Sequence, residues 1–389
     1  MNDRLYWVWA QSALGISRSV KTEEIISYFG DAKTLYFAGE YEWRISGIFT
    51  RGQLNNLTAT PLEKAEKIVS DCDRCGVKIV TPGDGNYPSM LFKLPNLPLV
   101  LYVRGDLDCL KNKISIAVVG ARKGSDIGRR IARALSASLC RSGAMIVSGA
   151  AEGIDSAAHR GALDVGAKTV AVLGCGFGAR YLPENEPLRR EIVSNGALIT
   201  EYPPYTPAFP SNFPFRNRII SGLSYGTIVI EANERSGSLR TAEHAAEQGR
   251  DIFAVPGDIT SSMNMGTNRL LRDGAKPVFN AMDVLEEYAA RFPELIDAEK
   301  IETELTMTPA GKPVINKEPE SENVKMTIPQ GVSENARLIC EVFTEKTMQA
   351  EELILKAKLS TVDFLSAMTE LELLGVVEPL AGKNYKRLK

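Results

Sequence analysis

Three short glycine- and serine-bearing stretches of this chain have the chemistry to hold an anion. In the first, Gly120-Ala121-Arg122-Lys123 closes the apolar run Ile116 to Val119, and a helical pattern follows at Ile127, Ile131, Leu135 and Leu139. A strand that ends in such a turn aims backbone N–H groups and a helix N-terminus at one point, which suits a phosphate. Arg122 adds a forked guanidinium there. In the second stretch, Ser148-Gly149 precedes Gly153-Ile154-Asp155. Ser148 could donate to a phosphate, and helix capping explains the pattern equally well. In the third, Ser236-Gly237-Ser238 opens a helix directly after an apolar strand, where capping alone would account for Ser238.

Cations and aromatics recur beside these turns. Gly174 to Gly178 is followed by Arg180 and Tyr181, and Phe213-Pro214-Phe215 leads into Arg216-Asn217-Arg218. Phosphate contact with base stacking is one reading of the second cluster; an arginine pair that structures the end of a sheet is the other. A dinucleotide cofactor is not expected. Gly120, Gly124 and Gly128 do not make G-x-G-x-x-G, and the second strand ends at Ser148-Gly149 rather than at an acidic residue. The P-loop Lys-Ser/Thr is missing as well. The anion can therefore belong to a nucleic-acid backbone.

The elements that must position these residues alternate along the chain. Strand patterns at 115–119, 144–148, 168–173, 197–200, 226–231 and 251–255 are separated by helical ones at about 126–142, 154–166, 186–195, 215–222, 239–249 and 267–273. This predicts an α/β fold with a doubly wound, mostly parallel sheet, with ligands beyond the carboxyl ends of its strands. The expected organisation is a helical N-terminal module at 1–65, the sheet domain at 66–285, an acidic flexible linker at 286–332 and a winged-helix-like domain at 333–389. In the last, Leu359 to Leu374, where a recognition helix would lie, carries no Lys or Arg. That favours a protein contact over duplex DNA.

Charge is segregated along the 389 residues. The chain as a whole is at −2, yet Lys113 to Lys276 carries 20 Lys+Arg, sixteen of them arginine, against 15 Asp+Glu, a net of +5. From Glu286 to Gln330 there are 5 basic and 10 acidic residues, a net of −5. A basic, arginine-rich sheet domain with an acidic tether points to phosphate contacts. The six cysteines are scattered apart from Cys72 and Cys75, and there are two histidines. Reduced thiols in a cytoplasmic protein, and no metal site, are expected. No run of 18 apolar residues occurs, so no membrane span is expected.

At this level of detail the sequence resembles the DNA-processing protein A family (DprA/Smf). The matching stretches are Val-Val-Gly-Ala-Arg at 118–122, Val-Ser-Gly-Ala-Ala-Glu-Gly-Ile-Asp-Ser-Ala-Ala-His at 147–159 and Tyr-Leu-Pro-Glu-Asn at 181–185. To these add Asn-Phe-Pro-Phe-Arg-Asn-Arg-Ile-Ile-Ser-Gly-Leu-Ser at 212–224, Glu-Arg-Ser-Gly-Ser-Leu at 234–239, Val-Pro-Gly at 255–257 and Gly-Thr-Asn-Arg-Leu-Leu at 266–271. The resemblance implies a cytosolic homodimer that binds and protects incoming single-stranded DNA in a basic pocket of an extended Rossmann-like, doubly wound domain. It also implies loading of a RecA-type recombinase onto that strand during natural transformation. The family's binding residues carry over to Gly120 and Arg122, to Arg180 as the cation after the third strand of the alternating run, and to Arg216, Asn217 and Arg218. With the residues of the other turns, the candidate DNA-binding set is Gly120, Arg122, Lys123, Ser148, Gly149, Arg180, Arg216, Asn217, Arg218, Ser236, Gly237 and Ser238.

The competing reading is a nucleotide-binding or phosphoribohydrolase-like enzyme on a related fold, with Glu231 and Glu243 as acid and base. The Pro-Gly-Gly-x-Gly-Thr-x-x-Glu pattern of such enzymes is missing; Ser-Gly-Ser-Leu-Arg-Thr-Ala-Glu at 236–243 is only an echo of it. For assembly, the apolar residues Ile259, Met263, Met265, Leu270 and Leu271 at the last sheet edge are expected to form a dimer interface.

Overall fold

The β-branched runs that alternate with helical patterns are buried on both faces, as parallel strands between two helix layers must be. The computed structural model describes residues 3–17, 19–297, 332–343, 347–380 and 384–388. These form two compact units, Met1–Val314 and Ile315–Lys389.

The first unit opens with five helices: α1 (Asp3–Leu14), α2 (Thr22–Phe29), α3 (Ala32–Ile45), α4 (Arg51–Ala59) and α5 (Leu62–Arg74). They pack around Trp7, Trp9, Leu35 and Trp43 and onto β1 (Lys78–Val80) and β2 (Leu101–Gly105). Two of these three buried indoles donate to backbone carbonyls: Trp9 to that of Thr60 at 2.9 Å and Trp43 to that of Leu35 at 2.7 Å. Gln11 ties α1 to the sheet by donating to the Glu201 carbonyl (3.1 Å) and accepting from the Tyr102 hydroxyl (3.0 Å).

Then follow β3 (Ser115–Val119), α6 (Asp126–Arg141), β4 (Met145–Ser148), α7 (Ile154–Asp164), β5 (Thr169–Leu173), α8 (Glu186–Ser194), β6 (Gly196–Thr200) and α9 (Asn212–Gly222). The unit continues with β7 (Gly226–Val229), α10 (Gly237–Glu247), β8 (Asp251–Ala254), α11 (Met265–Arg272), β9 (Lys276–Pro277) and α12 (Met282–Ala289). The nine strands lie in the order β1-β2-β6-β5-β4-β3-β7-β8-β9. From β6 to β9 all pairings are parallel, while β2 and β1 add an antiparallel edge. Helices α6, α7 and α12 cover one face through Leu135, Leu139, Ile154, Ala158, Val284 and Leu285. The other face is covered by α9 and α10. The strand order reverses between β3 and β7, and a crevice opens outside the carboxyl ends of the strands at such a switch point.

Two expectations change. The sheet does not end at β8, since β9 pairs with it in parallel. The start of the expected linker is packed: α12 runs to Ala289, Ile296 is buried among α6 and α12, and the Asp297 N–H donates to the Ser142 carbonyl. The rest of the linker, from 298 to 331, lies outside the described residues.

The second unit holds α13 (Glu334–Val342), β10 (Thr347–Gln349), α14 (Ala350–Ala357), α15 (Thr361–Leu373), β11 (Val377–Leu380) and β12 (Asn384–Arg387). Its sheet order is β10-β12-β11, over a core of Ile339, Phe343, Leu353, Phe364, Met368 and Leu371. Three helices and a three-stranded wing in this chain order make a winged helix.

Candidate nucleic-acid interface

At the switch point, three helix N-termini face the ends of β3, β4 and β7. Two are already neutralised from within. The Glu231 carboxylate accepts the Ser125 N–H at 2.7 Å, and the Ser125 hydroxyl caps α6 through the Gly128 N–H at 2.9 Å. The helix after the first turn therefore does not offer its N-terminus to a ligand, because an internal carboxylate occupies it. On α7, Asp155 sits in the first turn and accepts the backbone N–H groups of Gly149 and Ala151. Burial pushes its carboxyl up, and the Arg216 guanidinium opposes that shift. Only α10 is free of a carboxylate: its start carries Ser236, Gly237 and Ser238 and no acidic residue, and the Ser236 hydroxyl caps it by accepting the Ser238 N–H at 3.4 Å.

Between these elements lies a crevice of about 820 Å³. It brings together Gly120, Arg122, Lys123, Arg216, Asn217, Ser236, Gly237 and Ser238 of the candidate set, with Asp155, Tyr181, Phe213 and Arg235. Four cations and one carboxylate line it. Arg122 stands over the Phe213 ring at 5.0 Å, Arg216 approaches the same ring at 5.8 Å, and Tyr181 packs against it at 4.9 Å between centroids. The result is a wall of alternating guanidinium and aromatic groups. The Tyr181 hydroxyl is buried and has no hydrogen-bond partner among the described residues.

Arg216 forms the floor. It is buried and donates to the carbonyls of Gly149 (3.0 Å) and Val172, and to the Asn217 side-chain oxygen (3.2 Å). Asn217 passes the restraint on by donating to the Gly237 carbonyl at 3.3 Å, which fixes α9 against the N-terminal end of α10. Gly153 shows why the first two turns can meet. Its φ is +79°, and a Cβ there would lie 2.3 Å from the Arg122 carbonyl oxygen. Gly237 is the opposite case: a Cβ on it would meet nothing within 4 Å. The fold therefore does not require glycine at 237.

The structure removes two residues from the candidate set. Ser148 is fully buried and its hydroxyl donates to the Val118 carbonyl at 2.6 Å, so it serves the sheet. Arg218 points to the other side of α9, where it makes a buried two-pronged ion pair with Glu201 at 2.7 and 2.6 Å. Within Arg216-Asn217-Arg218, the sheet-structuring reading holds for Arg218. Two others stand apart from the crevice lining: Gly149 lies beneath it as an acceptor for Arg216, and Arg180 is exposed beside Tyr181. Arg235 was missed. Its signal was present as a cation directly before the serine-glycine helix start.

The arginines divide by pairing. Arg129, Arg133, Arg160, Arg189, Arg240 and Arg269 each hold a carboxylate. Arg122, Lys123 and Arg235 are exposed in the crevice without a carboxylate partner among the described residues. The groups proposed for enzymatic acid and base work are elsewhere. Glu231 is bound to Ser125, and Glu243 pairs with Arg240 at 2.7 Å on the surface. The histidines are committed too: His244 lies against Glu247 and the Pro214 carbonyl, and His159 is buried against Thr169.

The sequence matches the family model of DNA recombination-mediator protein A over residues 78–289. The chain belongs to this family. Among relatives, Protein Smf of Synechocystis is 32% identical over 355 residues, 86% of this chain and 85% of the relative. The crystal structure of DNA processing protein A from Streptococcus pneumoniae is 33% identical with a TM-score of 0.64, covering 74% of this chain and 98% of that one. DNA processing protein A from Helicobacter pylori, whose structure was described for its single-stranded DNA binding mode, is 28% identical with a TM-score of 0.50 over 55% of this chain and 97% of its own. The family match spans the strands, turns and helices that build the crevice, from β1 to the end of α12.

Proposed function

We propose that the crevice binds single-stranded DNA by its phosphates and by stacking, without reading base edges. The observation that carries this is the clustering of the unpaired cations Arg122, Lys123 and Arg235 around a Tyr181–Phe213 wall and the carboxylate-free N-terminus of α10. Guanidinium groups and helix N-termini grip phosphates, and an aromatic face accepts any base. Bases are free to stack in this way only when they are unpaired, so single strands are preferred over duplex. The Helicobacter relative's reported single-stranded DNA binding supports the same ligand.

The reading extends to a cytoplasmic homodimer that holds the strand and loads a RecA-type recombinase on it, in keeping with the family's description as a recombination mediator. Ile259 (87% exposed), Met265 and Phe279 (65% exposed) are exposed large apolar residues in the segments that follow β8 and β9, and such exposure at the end of the sheet supports a self-interface. No helix among the described residues is long and apolar enough to cross a membrane. A binding role fits the crevice better than catalysis, since its carboxylate Asp155 is held by two backbone N–H groups beside Arg216.

The experiment is a gel shift with labelled single strand and unlabelled single-strand or blunt-duplex competitor across a salt series. The single strand should compete tens-fold better, and affinity should fall steeply with salt. Equal competition by duplex, or indifference to salt, would refute the reading. For the recombinase step, RecA-type filament growth on a strand coated with single-strand-binding protein should accelerate when the chain is added.

A further inference from the structure

A second cavity, of about 390 Å³, adjoins the crevice, and Tyr181 lines both. Its volume falls within the ~300–1,000 Å³ of small-ligand pockets. Buried Leu173 and Leu198 make its floor, Phe177 and Tyr181 supply aromatic surface, and Arg104 and Arg190 supply charge. Arg104 is set in place. Its guanidinium lies 4.9 Å over the Phe177 ring and donates to the Cys75 carbonyl at 3.2 Å. Arg190 is more exposed, with 79% of its side chain accessible, and it meets Glu186 at 3.4 Å.

The loop between the two cavities is fastened. Arg189, nearly buried, donates to the carbonyls of Tyr181 (2.9 Å) and Leu182 (3.0 Å) while paired with Glu186. Leu182 is held at φ +42°, a left-handed conformation costly for leucine. Such a conformation persists where its surroundings over-determine it, and here they fix Tyr181 at the boundary of both cavities.

We infer that the second cavity takes the nucleotide flanking the crevice-bound stretch of the same strand, its base against the Arg104–Phe177 pair and its phosphate toward Arg190. This rests on the crevice being a single-strand site. Bases stack on aromatic rings and on guanidinium planes, and a stack formed in advance loses little freedom on binding. Because Tyr181 lines both cavities, the second lies next to the crevice-bound stretch, which favours a nucleotide of the bound strand over a separate small molecule.

The test is binding of the full chain to oligo(dT) of increasing length. The wild-type protein should show a final gain of roughly fivefold or more as the strand grows past the crevice. Arg104→Gln should abolish that gain and leave short oligomers bound as before. Arg190→Ala, at an exposed position, tests the same step without disturbing the fold, and should lower the salt slope by about one phosphate contact. A 5-iodouracil placed at the flanking position should crosslink to Phe177 or Tyr181. If both variants keep the wild-type length dependence and the crosslink maps elsewhere, the extension is overturned while the crevice stands. If instead Arg122→Ala binds every length as tightly as wild type, the crevice reading itself falls, and the inference with it. Tight binding of free mononucleotide to the second cavity, unaffected by a crevice-bound strand, would also overturn it.

Discussion

Replacing Arg122 by alanine separates binding from folding. Arg122 is exposed, has no carboxylate partner among the described residues, and rests only on the Phe213 ring at 5.0 Å. Losing that contact costs the fold about 0.5–1 kcal/mol. In a unit of this size that lowers the melting temperature by no more than ~4 °C. A guanidinium–phosphate hydrogen bond is worth about 1.5–3 kcal/mol, so single-strand affinity should drop roughly tenfold to hundredfold. The salt slope should also shrink by about one unit, because one fewer counterion is released. Fluorescence anisotropy with labelled oligo(dT) at several salt concentrations gives both numbers, and a thermal melt gives the third. A variant with native affinity and native slope would show that the first turn does not hold a phosphate. A variant that loses affinity in proportion to a large loss of stability would show that Arg122 supports the fold instead.

Arg218→Ala should behave in the reverse way: removing one partner strands the buried Glu201 carboxylate, at a cost of about 3–5 kcal/mol in urea unfolding, and whatever folded protein remains should bind single strand normally. Ile259→Asp should give monomers in sedimentation at micromolar concentration with crevice chemistry unchanged; a persistent dimer would place the interface elsewhere. Stability should fall on acidification because of His159. Thr169 donates to the Ile146 carbonyl and so accepts from His159 Nδ1, leaving a buried, unpartnered Nε2, and burial lowers the imidazole pKa from 6.5 to about 3. The unfolded chain takes up this proton first, so the contribution is full above pH 6.5 and is lost as pH falls toward 3, at about 1.4 kcal/mol per pH unit. His159→Gln should flatten the dependence of the urea midpoint between pH 7 and 5; an unchanged slope would refute the assignment.

Much of the sheet was legible because its strands are buried on both faces. Ser115–Val119 and Thr169–Leu173 are continuous apolar runs that few other structures accommodate. The limits of the reading have local causes. Helix α9 begins at Asn212, before the expected 215, because Pro214 lies in its first turn, where a missing N–H costs nothing. The two-residue strand β9 is too short to show a period. Arg216 and Arg218 are two residues apart on a helix and so face different ways, one under the crevice and one toward Glu201. A sequence shows the cations and the glycine-serine turns but not the carboxylates that the fold brings to them, Glu201 to Arg218 and Glu231 to the Ser125 N–H, from distant parts of the chain.

Those carboxylates explain where the candidate site ended up. Several glycine-serine turns of this chain look equally fit to hold a phosphate, and folding discriminates among them by supplying an internal anion. Glu231 takes the N-terminus of α6, and Asp155 occupies the first turn of α7 and faces Arg216. Each removes the attraction that an external phosphate would feel, since an N-terminal dipole already neutralised by a carboxylate has little left to offer. Among the described residues, the Ser236-Gly237-Ser238 turn receives no such partner, and neither do Arg122, Lys123 and Arg235 around it. Among the described residues, cations without a carboxylate are thereby gathered in this crevice, in a chain whose net charge is −2. Affinity of this crevice for a polyanion should then depend on a handful of groups, so that the exposed Arg122 should matter there and Arg129, Arg133 and Arg240, each paired with a carboxylate outside the crevice, should not.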